Sequence, residues 1–544
     1  MQGKSILMAG VAAVALVASS DAGLAKTKHH AAKPVATDQT APPPAPAAQP
    51  GPSNQELADR LSALEAELAA EHDARGADRN RLSALEQNFN DTSWSFDNSR
   101  PTVKSGDGRF TLSFRARFQF DSAVFMQDSP TSPTNFAQFK DLASGAVVRR
   151  AYFGIEGKAF SDFWYEFRLN GGGSDGGSSG AAGVPAGGEG DPLVNIARVQ
   201  YNGIPNFRLN VGIIEPIQTL DGSTSSGQLI FLERSEIENI AADSFGGGDS
   251  RRGIEATFQK VDMFLPGDNL VVSGAYTGGK TGSNAGHGNF GDEQTQAFGR
   301  IAYRLWSDGV SNLQIGGSGG ATLDSGGNNT ANPNGVLGLR FRDRPEIRVD
   351  GTRLIDTGTI NARTGDYYGF DAAGNIENFY LGAEYMNFTA DRMAAGVKAA
   401  DHPNFFGWYA EGSWVITGEP RTYSARAMNN EYGAFNAPVV ANPFSFSGNS
   451  WGAWEIAVRY SDTNLNWHDN FAGTSTAQAG IAGGEERIVA VALNWYLNQN
   501  IRIMLDDNIV NVKKLSAPGA DPTIPANQIG QDFNELGARV QFQM

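Results

Sequence analysis

Residues 108–120 read GRFTLSFRARFQF and alternate between apolar and polar side chains. The positions between the apolar residues hold hydroxyl, amide and guanidinium groups, including those of Arg115 and Arg117. Because a β-strand sends alternate side chains to opposite faces, this stretch predicts a strand with one apolar and one cationic face. The apolar face is formed by Phe110, Leu112, Phe114, Phe118 and Phe120.

The composition limits the classes of protein that fit this chain. It has 544 residues, of which 66 are glycine and none is cysteine, and its formal net charge is −16. This length exceeds an ordinary domain unless the chain forms a large barrel, a repeat array or several modules. The lack of cysteine excludes disulfides, thiolate nucleophiles and cysteine-ligated metals. The negative charge argues against a nucleic-acid partner, because phosphate binding requires a basic surface.

The N-terminal residues predict export from the cytoplasm. Lys4 precedes an apolar run over residues 6–18, and small residues follow as far as Ala25. This pattern is typical of a cleaved signal peptide, which we place at residues 1–25; the alternative is a single membrane anchor. No later segment contains eighteen consecutive apolar residues. Membrane residence would therefore require a closed β-barrel.

A linker and a helix follow. Residues 26–54 are rich in alanine and proline and predict an extended linker, in which His29 and His30 are expected to be solvated rather than to bind a metal. Residues 55–90 predict a short coiled coil that associates the chain, as a trimer, although a helix packing on its own chain is the alternative. The two heptad positions hold Leu57, Leu64, Glu71, Asp78 and Leu85, and Leu61, Leu68, Arg75, Leu82 and Phe89.

From residue 108 onward the period-two pattern continues to the end of the chain. An even number of strands of about ten residues is typical of an outer-membrane barrel. We therefore predict an all-β fold, a 16-stranded antiparallel transmembrane β-barrel over residues 108–544. The predicted strands are 109–121, 147–159, 162–171, 193–203, 206–214, 251–260, 269–278, 294–306, 311–322, 335–345, 376–389, 404–417, 451–462, 485–497, 500–512 and 533–544.

The connections alternate in length. Short joints such as Ser161 and 204–205 alternate with long glycine-rich and serine-rich loops such as 171–192. This asymmetry is typical of tight periplasmic turns and large external loops. Two predicted connections, 346–375 and 418–450, are long but fall on the short-turn side. The strand positions near them are therefore the weakest part of the prediction.

A secreted β-sandwich or solenoid would also show alternation, so the faces must decide between these folds. Trp454, Ile456, Val458 and Tyr460 form one apolar face, and aromatic residues gather near strand ends, as in the interfacial girdles of membrane barrels. The opposite faces carry twice as many basic as acidic residues. We therefore expect lipid on the phenylalanine face and a water-filled lumen on the arginine face.

Several segments carry a family resemblance: VVRRAYFGIEGKAF, LNVGIIEPI, IFLERSEIEN followed by SRRGIEATF, GAWEIAVRYS and ALNWYLNQNIRIML. Their order and spacing resemble those of the phosphate-selective porin O and P family of Gram-negative outer membranes. The resemblance covers residues 108–544. It implies a trimeric sixteen-stranded barrel with an inward-folded third loop and an arginine-lined route for anions, including phosphate or polyphosphate.

The candidate anion-binding residues come from this resemblance and from the predicted luminal faces. Arginine suits the role because its planar fork donates paired hydrogen bonds to phosphate oxygens and keeps its charge. The alternative is that these arginines hydrate the wall or pair with Glu156, Glu166 and Glu255. The matching positions are Arg115, Arg117, Arg149 and Arg150, with Arg234, Arg251 and Arg252 near Glu233 in the third-loop region; the luminal faces add Lys158, Arg168, Arg198 and Arg208.

These observations predict a porin of the Gram-negative outer membrane that selects small anions. Lysine is scarce on the luminal faces, so anion preference is better supported than phosphate specificity. Expected partners are two further copies of the chain, lipid and lipopolysaccharide, small anions and, through the N-terminal region, peptidoglycan. We expect no catalytic site, metal or cofactor. The sequence contains no recognisable nucleophile motif, and its six histidines are scattered along the chain. The alternative is a structural tether that grips the cell wall and uses the barrel as an anchor.

Overall fold

The computed structural model describes residues 53–96, 100–127, 141–173, 194–245, 250–280, 293–327, 336–394, 397–398, 401–425, 433–467, 480–514 and 531–544. The predicted signal peptide, His29, His30 and all but the last residues of the predicted linker lie outside these ranges. The chain divides into two units, 1–80 and 81–544. No helix in the described ranges is long and apolar enough to cross a membrane.

A helix of 37 residues spans Asn54–Asn90. It begins at a serine cap, because the Glu56 backbone N–H donates to Ser53 Oγ at 3.2 Å. All its described side chains are exposed to solvent. The predicted heptad leucines are among them, with Leu61 60% and Leu68 68% exposed. A coiled coil at this helix therefore remains a prediction, and its apolar seam is open to a partner helix.

Sixteen antiparallel strands form a closed barrel, as the alternation predicts. Each strand pairs with the next, and the last pairs with the first from Phe533 opposite Gln127 to Gln543 opposite Arg117. We number them barrel strands 1 to 16: Thr111–Gln127, Gly145–Ala159, Phe163–Asn170, Val194–Tyr201, Phe207–Ile214, Arg251–Val261, Asn269–Lys280, Thr295–Ser307, Asn312–Asp324, Ala362–Ile376, Phe379–Ala394, Asn404–Val415, Ala453–Trp467, Ile481–Tyr496, Ile501–Lys513 and Gln531–Gln543.

A short hairpin covers the exposed start of barrel strand 1. Strand 16 ends opposite Arg117, so residues 111–113 extend beyond it. The strand Thr102–Lys104 pairs with these residues, and Ser93–Ser95 pairs with Thr102–Lys104 in turn. Pairing satisfies backbone groups that would otherwise form an open sheet edge.

One predicted strand is wrong. Residues 335–345 form no barrel strand, and barrel strand 10 is Ala362–Ile376, which we predicted to be a connection. The alternation at 335–345 arises because Leu339 and Phe341 are buried inside the barrel, where Phe341 stacks on Phe245 at 5.8 Å. Alternation alone does not show whether an apolar face contacts lipid or an internal core. The corrected order places the long connection 325–361 on the long-loop side.

Three connections have described parts that fold into the lumen: 215–250, 325–361 and 416–452. The first contains the helix Glu236–Phe245, which packs on Phe341, Tyr367 and Phe388. The second contains the paired strands Arg342–Asp343 and Ile355–Asp356, and the third the paired strands Arg421–Tyr423 and Phe435–Pro438. We call residues 215–245 the inward segment. The third connection remains long although it lies on the short-turn side, as predicted for 418–450.

Candidate functional site

A β-bulge in barrel strand 2 brings two consecutive arginines to the same face. Gln119 of strand 1 pairs with Arg150, whereas Phe120 pairs with Val148, so Arg149 is an extra residue in strand 2. Both side chains consequently point into the barrel, where Arg149 is 4% and Arg150 8% exposed. In a regular strand the two guanidinium groups would lie on opposite faces.

These arginines converge on Glu233 of the inward segment. Arg149 Nε lies 2.9 Å from Glu233 Oε1, and Arg539 of strand 16 donates to the same oxygen at 2.6 Å. Arg150 lies 3.4 Å and Arg348 3.8 Å from Glu233 Oε2. Burial alone would raise the pKa of Glu233, but the four arginines hold this pKa well below its ordinary value. Glu233 is therefore ionised and fixes the inward segment to the wall.

Hydrogen bonds from strands 1 and 15 continue this attachment. Arg117 donates to the hydroxyls of Ser225 and Ser226 at 2.8 and 2.7 Å, and Arg502 donates to the Leu229 carbonyl at 2.7 Å. Gly227 lies directly against Arg117, since a Cβ atom there would stand 2.8 Å from the guanidinium carbon. A larger residue would displace the side-chain ends of Arg117 and Gln543.

A second cluster surrounds Glu166 on strand 3. Arg115 bridges Glu156 and Glu166, with both contacts at 2.9 Å. Arg198 lies 2.7 Å from Glu166, and Arg168 lies 2.6 Å from Glu215 and 3.7 Å from Glu166. Here the structure shows the pairing alternative considered for Glu156 and Glu166. The third proposed partner, Glu255, instead accepts hydrogen bonds from Asn210 and the Ile217 backbone.

Three predicted residues lie away from these clusters. Arg251 is 1% exposed and donates to the Ala242 and Asp243 carbonyls at 2.8 and 3.1 Å, where it caps the C-terminus of the helix Glu236–Phe245. Arg252 pairs with Glu293, and both side chains are partly exposed. Arg234 lies on the inward segment and donates to the Thr224 carbonyl at 2.6 Å. For Arg251 these contacts show a structural role at the helix end, and the pore-lining role of all three residues stays a prediction.

The sequence profile of the family described as phosphate-selective porin O and P matches residues 118–543. The chain belongs to this family. An uncharacterized protein of Caulobacter vibrioides is 25% identical to this porin over 450 residues, which cover 81% of this chain and 75% of that protein. Porin O of Pseudomonas aeruginosa is 22% identical over 413 residues, which cover 74% and 83% of the two chains.

The chain is also similar to solved porin structures. The anion-selective porin from Comamonas acidovorans has a TM-score of 0.42 at 12% identity and covers 80% of this chain and 100% of its own. The trimer form of OmpT from Vibrio cholerae has a TM-score of 0.41 at 10% identity and covers 80% of this chain and 99% of its own. Family membership places this porin in the Gram-negative outer membrane as a channel protein.

The predicted two-to-one basic excess inside the porin is wrong. Asp371, Glu486 and Glu535 also face inward and are buried. The inward-folding connections contribute further carboxylates, including Glu233 and Glu346. Asp371 was missed because strand 10 was misplaced, whereas Glu486 and Glu535 lie within the predicted strands 485–497 and 533–544 and were left out of the count of luminal acids. Alternation could not find the carboxylates of the connections, because those residues lie outside the barrel strands.

Sequence patterns also missed several luminal ion pairs. Arg300 of strand 8 lies 2.9 Å from Asp371 of strand 10. Arg421, in the connection 416–452, lies 2.9 Å from Glu455 of strand 13. The first pair required the correct position of strand 10, and the second lies on a segment without periodic alternation. Lys158 and Arg208 belong to a separate recess near the short turns.

Proposed function

We propose that this porin conducts small anions and that the wall formed by strands 1, 2 and 16 selects them. The supporting observation is the convergence of arginines on Glu233. Arg149, Arg150, Arg348 and Arg539 lie 2.6 to 3.8 Å from its carboxylate, and Arg539 also pairs with Asp121. Arg117 adds a fifth guanidinium beside them.

This local charge outweighs the net charge of the whole chain for a passing ion. The Debye length is about 8 Å in physiological salt, so acidic groups farther away are largely screened. Two unit charges 4 Å apart still interact by about 4 kcal/mol at an effective dielectric constant of about 20, before the cost of desolvation. Several arginines placed along the pore wall also provide multiple weak binding sites, from which an anion can leave.

Phosphate, polyphosphate and similar small anions are the solutes we propose. The family description and the name of the Pseudomonas relative support phosphate, and arginine forks match its oxygens. We also propose that the porin is a homotrimer surrounded by lipid and lipopolysaccharide. The exposed heptad seam of Asn54–Asn90 and the large apolar side chains on the outer wall, such as Phe370 and Leu381, support these contacts.

Replacing Arg115, Arg117 and Arg150 together by glutamine tests the selective role. The zero-current potential in a KCl gradient should shift from anion-selective towards neutral or cation-selective, because Glu156 and Glu166 lose a counter-charge. Block of chloride current by phosphate should weaken, and high salt should reduce both effects. The matched control replaces Arg109, Arg363 and Arg487, which pair with acids outside these clusters, by glutamine.

An unchanged potential and phosphate block in the luminal triple variant at low salt would show that these arginines do not select ions. If the parent protein passes no current at all, the tether function is favoured instead, because a tether does not require an open channel.

A further inference from the structure

A recess of about 390 Å³ lies near the short turns that join strands 2–3 and 4–5. It is lined by luminal side chains of five consecutive strands. Lys158 pairs across the sheet with Trp164, Trp164 with Gln200, and Arg208 with Thr257. Residues 204–207, including Ile204 and Phe207, form its apolar rim. Its volume lies in the range typical of small-molecule sites.

The charge of this recess differs from that of the rest of the lumen. Its lining contains two cations, Lys158 and Arg208, and no aspartate or glutamate. Glu156 and Glu166 lie two residues farther along strands 2 and 3 from the short turn than Lys158 and Trp164. Both already form ion pairs with Arg115, and Glu166 also pairs with Arg198. A solute with a negative charge would therefore complement the cationic lining of the recess.

Two buried oxygen atoms in the lining also lack a hydrogen-bond partner. They are Gln200 Oε1 and Thr257 Oγ1, in side chains that are 1% and 2% exposed. The Gln200 amide nitrogen donates to Asn202 Oδ1 at 2.7 Å, which fixes the amide with its oxygen left free. Buried acceptors without a partner are costly, so a ligand hydroxyl that donates to them would be favoured.

We propose that this recess binds a small hydroxylated organic anion, of about the size of a monosaccharide that carries one carboxylate or phosphate group. Lys158 and Arg208 neutralise the anionic group, Gln200 and Thr257 accept hydrogen bonds from hydroxyls, and Trp164 contacts the carbon skeleton. The inference deepens the proposed anion channel and rests on it, because the solute reaches the recess through the lumen.

Calorimetric titration of the folded full-length protein in detergent tests this site without requiring conduction. The probes are D-glucuronate, glucose 6-phosphate, neutral glucose and inorganic phosphate. We expect glucuronate or glucose 6-phosphate, or both, to bind at least about tenfold more tightly than glucose, because an ion pair adds to the hydroxyl contacts. Which acid binds more tightly identifies the anionic group.

Variants of the lining assign the binding to this recess. Lys158→Gln and Gln200→Glu should each weaken sugar-acid binding by about tenfold, the second because it places a carboxylate beside the ligand's own charge. Thr257→Val should weaken it by a few fold. The control is Lys260→Gln, which removes the same charge from the opposite face of strand 6, and it should change nothing. Retention of the heat-resistant form in SDS verifies that each variant folds.

The site is disproved if glucose binds as tightly as the sugar acids, if only inorganic phosphate binds, or if Lys158→Gln and Gln200→Glu match the parent. These outcomes are independent of the selectivity at Glu233. An anion-selective channel that binds no sugar acid refutes the recess alone, whereas sugar-acid binding by a channel that is not anion-selective refutes the proposed function alone.

Discussion

Arg149 and Glu233 form a buried ion pair, with Arg149 Nε 2.9 Å from Glu233 Oε1 and both side chains at most 5% exposed. The pair joins the barrel wall to the segment that crosses the lumen, 84 residues later in the chain. It exists because the bulge in strand 2 turns Arg149 inward beside Arg150. The pair thus contributes both to the position of the inward segment and to the charge that a passing ion meets.

Replacing Glu233 by glutamine should destabilise the inward segment and increase anion selectivity. Removing one partner of a buried ion pair typically costs about 3–5 kcal/mol, because the remaining charge stays buried without compensation. The zero-current potential should move further in the anion-selective direction, and the heat-resistant form in SDS gels should be lost at a lower temperature. Glu293→Gln, at the partly exposed pair with Arg252, is the control. Unchanged selectivity would contradict the proposed role of this cluster.

Arg251 and Arg252 are adjacent in sequence but should respond differently to substitution by glutamine. Arg251→Gln removes a buried cap from the helix Glu236–Phe245 and leaves two carbonyl groups without their donor. We expect a loss of about 1–3 kcal/mol and faster proteolysis of the inward segment. Arg252→Gln disrupts a partly exposed pair and should have a smaller effect. Equal behaviour of the two variants would contradict the capping role.

Period-two alternation predicted the number of barrel strands and most of their positions, because each strand has one face towards lipid. It failed at strand 10, where Gly365, Gly369 and Gly374 dilute the pattern. The stronger alternation at 335–345 belongs to an internal core around Phe341. Local sequence therefore reports that a face is apolar, whereas the partner of that face depends on contacts between distant segments.

The candidate site was less predictable than the fold. The sequence identified Arg149 and Arg150 as candidates. Their shared orientation depends on a β-bulge, and no residue in VVRRAYF predicts a bulge. The ion pairs with Glu233 depend on the path of the inward segment, which is set by tertiary contacts such as that between Arg502 and the Leu229 carbonyl. Counting charges on the predicted strands consequently overestimated the basic excess.

Deleting residues 26–90 should leave the barrel folded but weaken the oligomer. The deletion removes no barrel strand and spares the hairpin strands Ser93–Ser95 and Thr102–Lys104. Circular dichroism should retain its β-sheet signal, whereas unboiled SDS gels should show more monomer. Leu68→Gln should have a smaller effect in the same direction, and Ala70→Gln, outside the predicted seam, should have none. Loss of the β-sheet signal would show that the helix is required for folding.

The pH dependence of stability should include a contribution from Glu236, at the start of the helix Glu236–Phe245. Its side chain is fully buried. Burial raises the pKa of Glu236 well above its ordinary value, the nearby Glu486 and Asp343 raise it further, and the Thr463 hydroxyl lowers it. The folded protein therefore holds a proton on Glu236 that the unfolded chain releases.

The sign of the effect follows from this proton. Where the folded state binds more protons than the unfolded state, stability falls as the pH rises from the ordinary glutamate range, near about 4.3, towards the raised pKa of the folded protein. Glu236→Gln mimics the protonated carboxyl, so the variant should lose less stability than the parent as the pH rises above about 5. The measurement is the temperature at which the heat-resistant form disappears, and Glu86→Gln on the exposed helix is the control. If Glu236→Gln and the parent lose stability in parallel over this range, Glu236 is not the group that titrates.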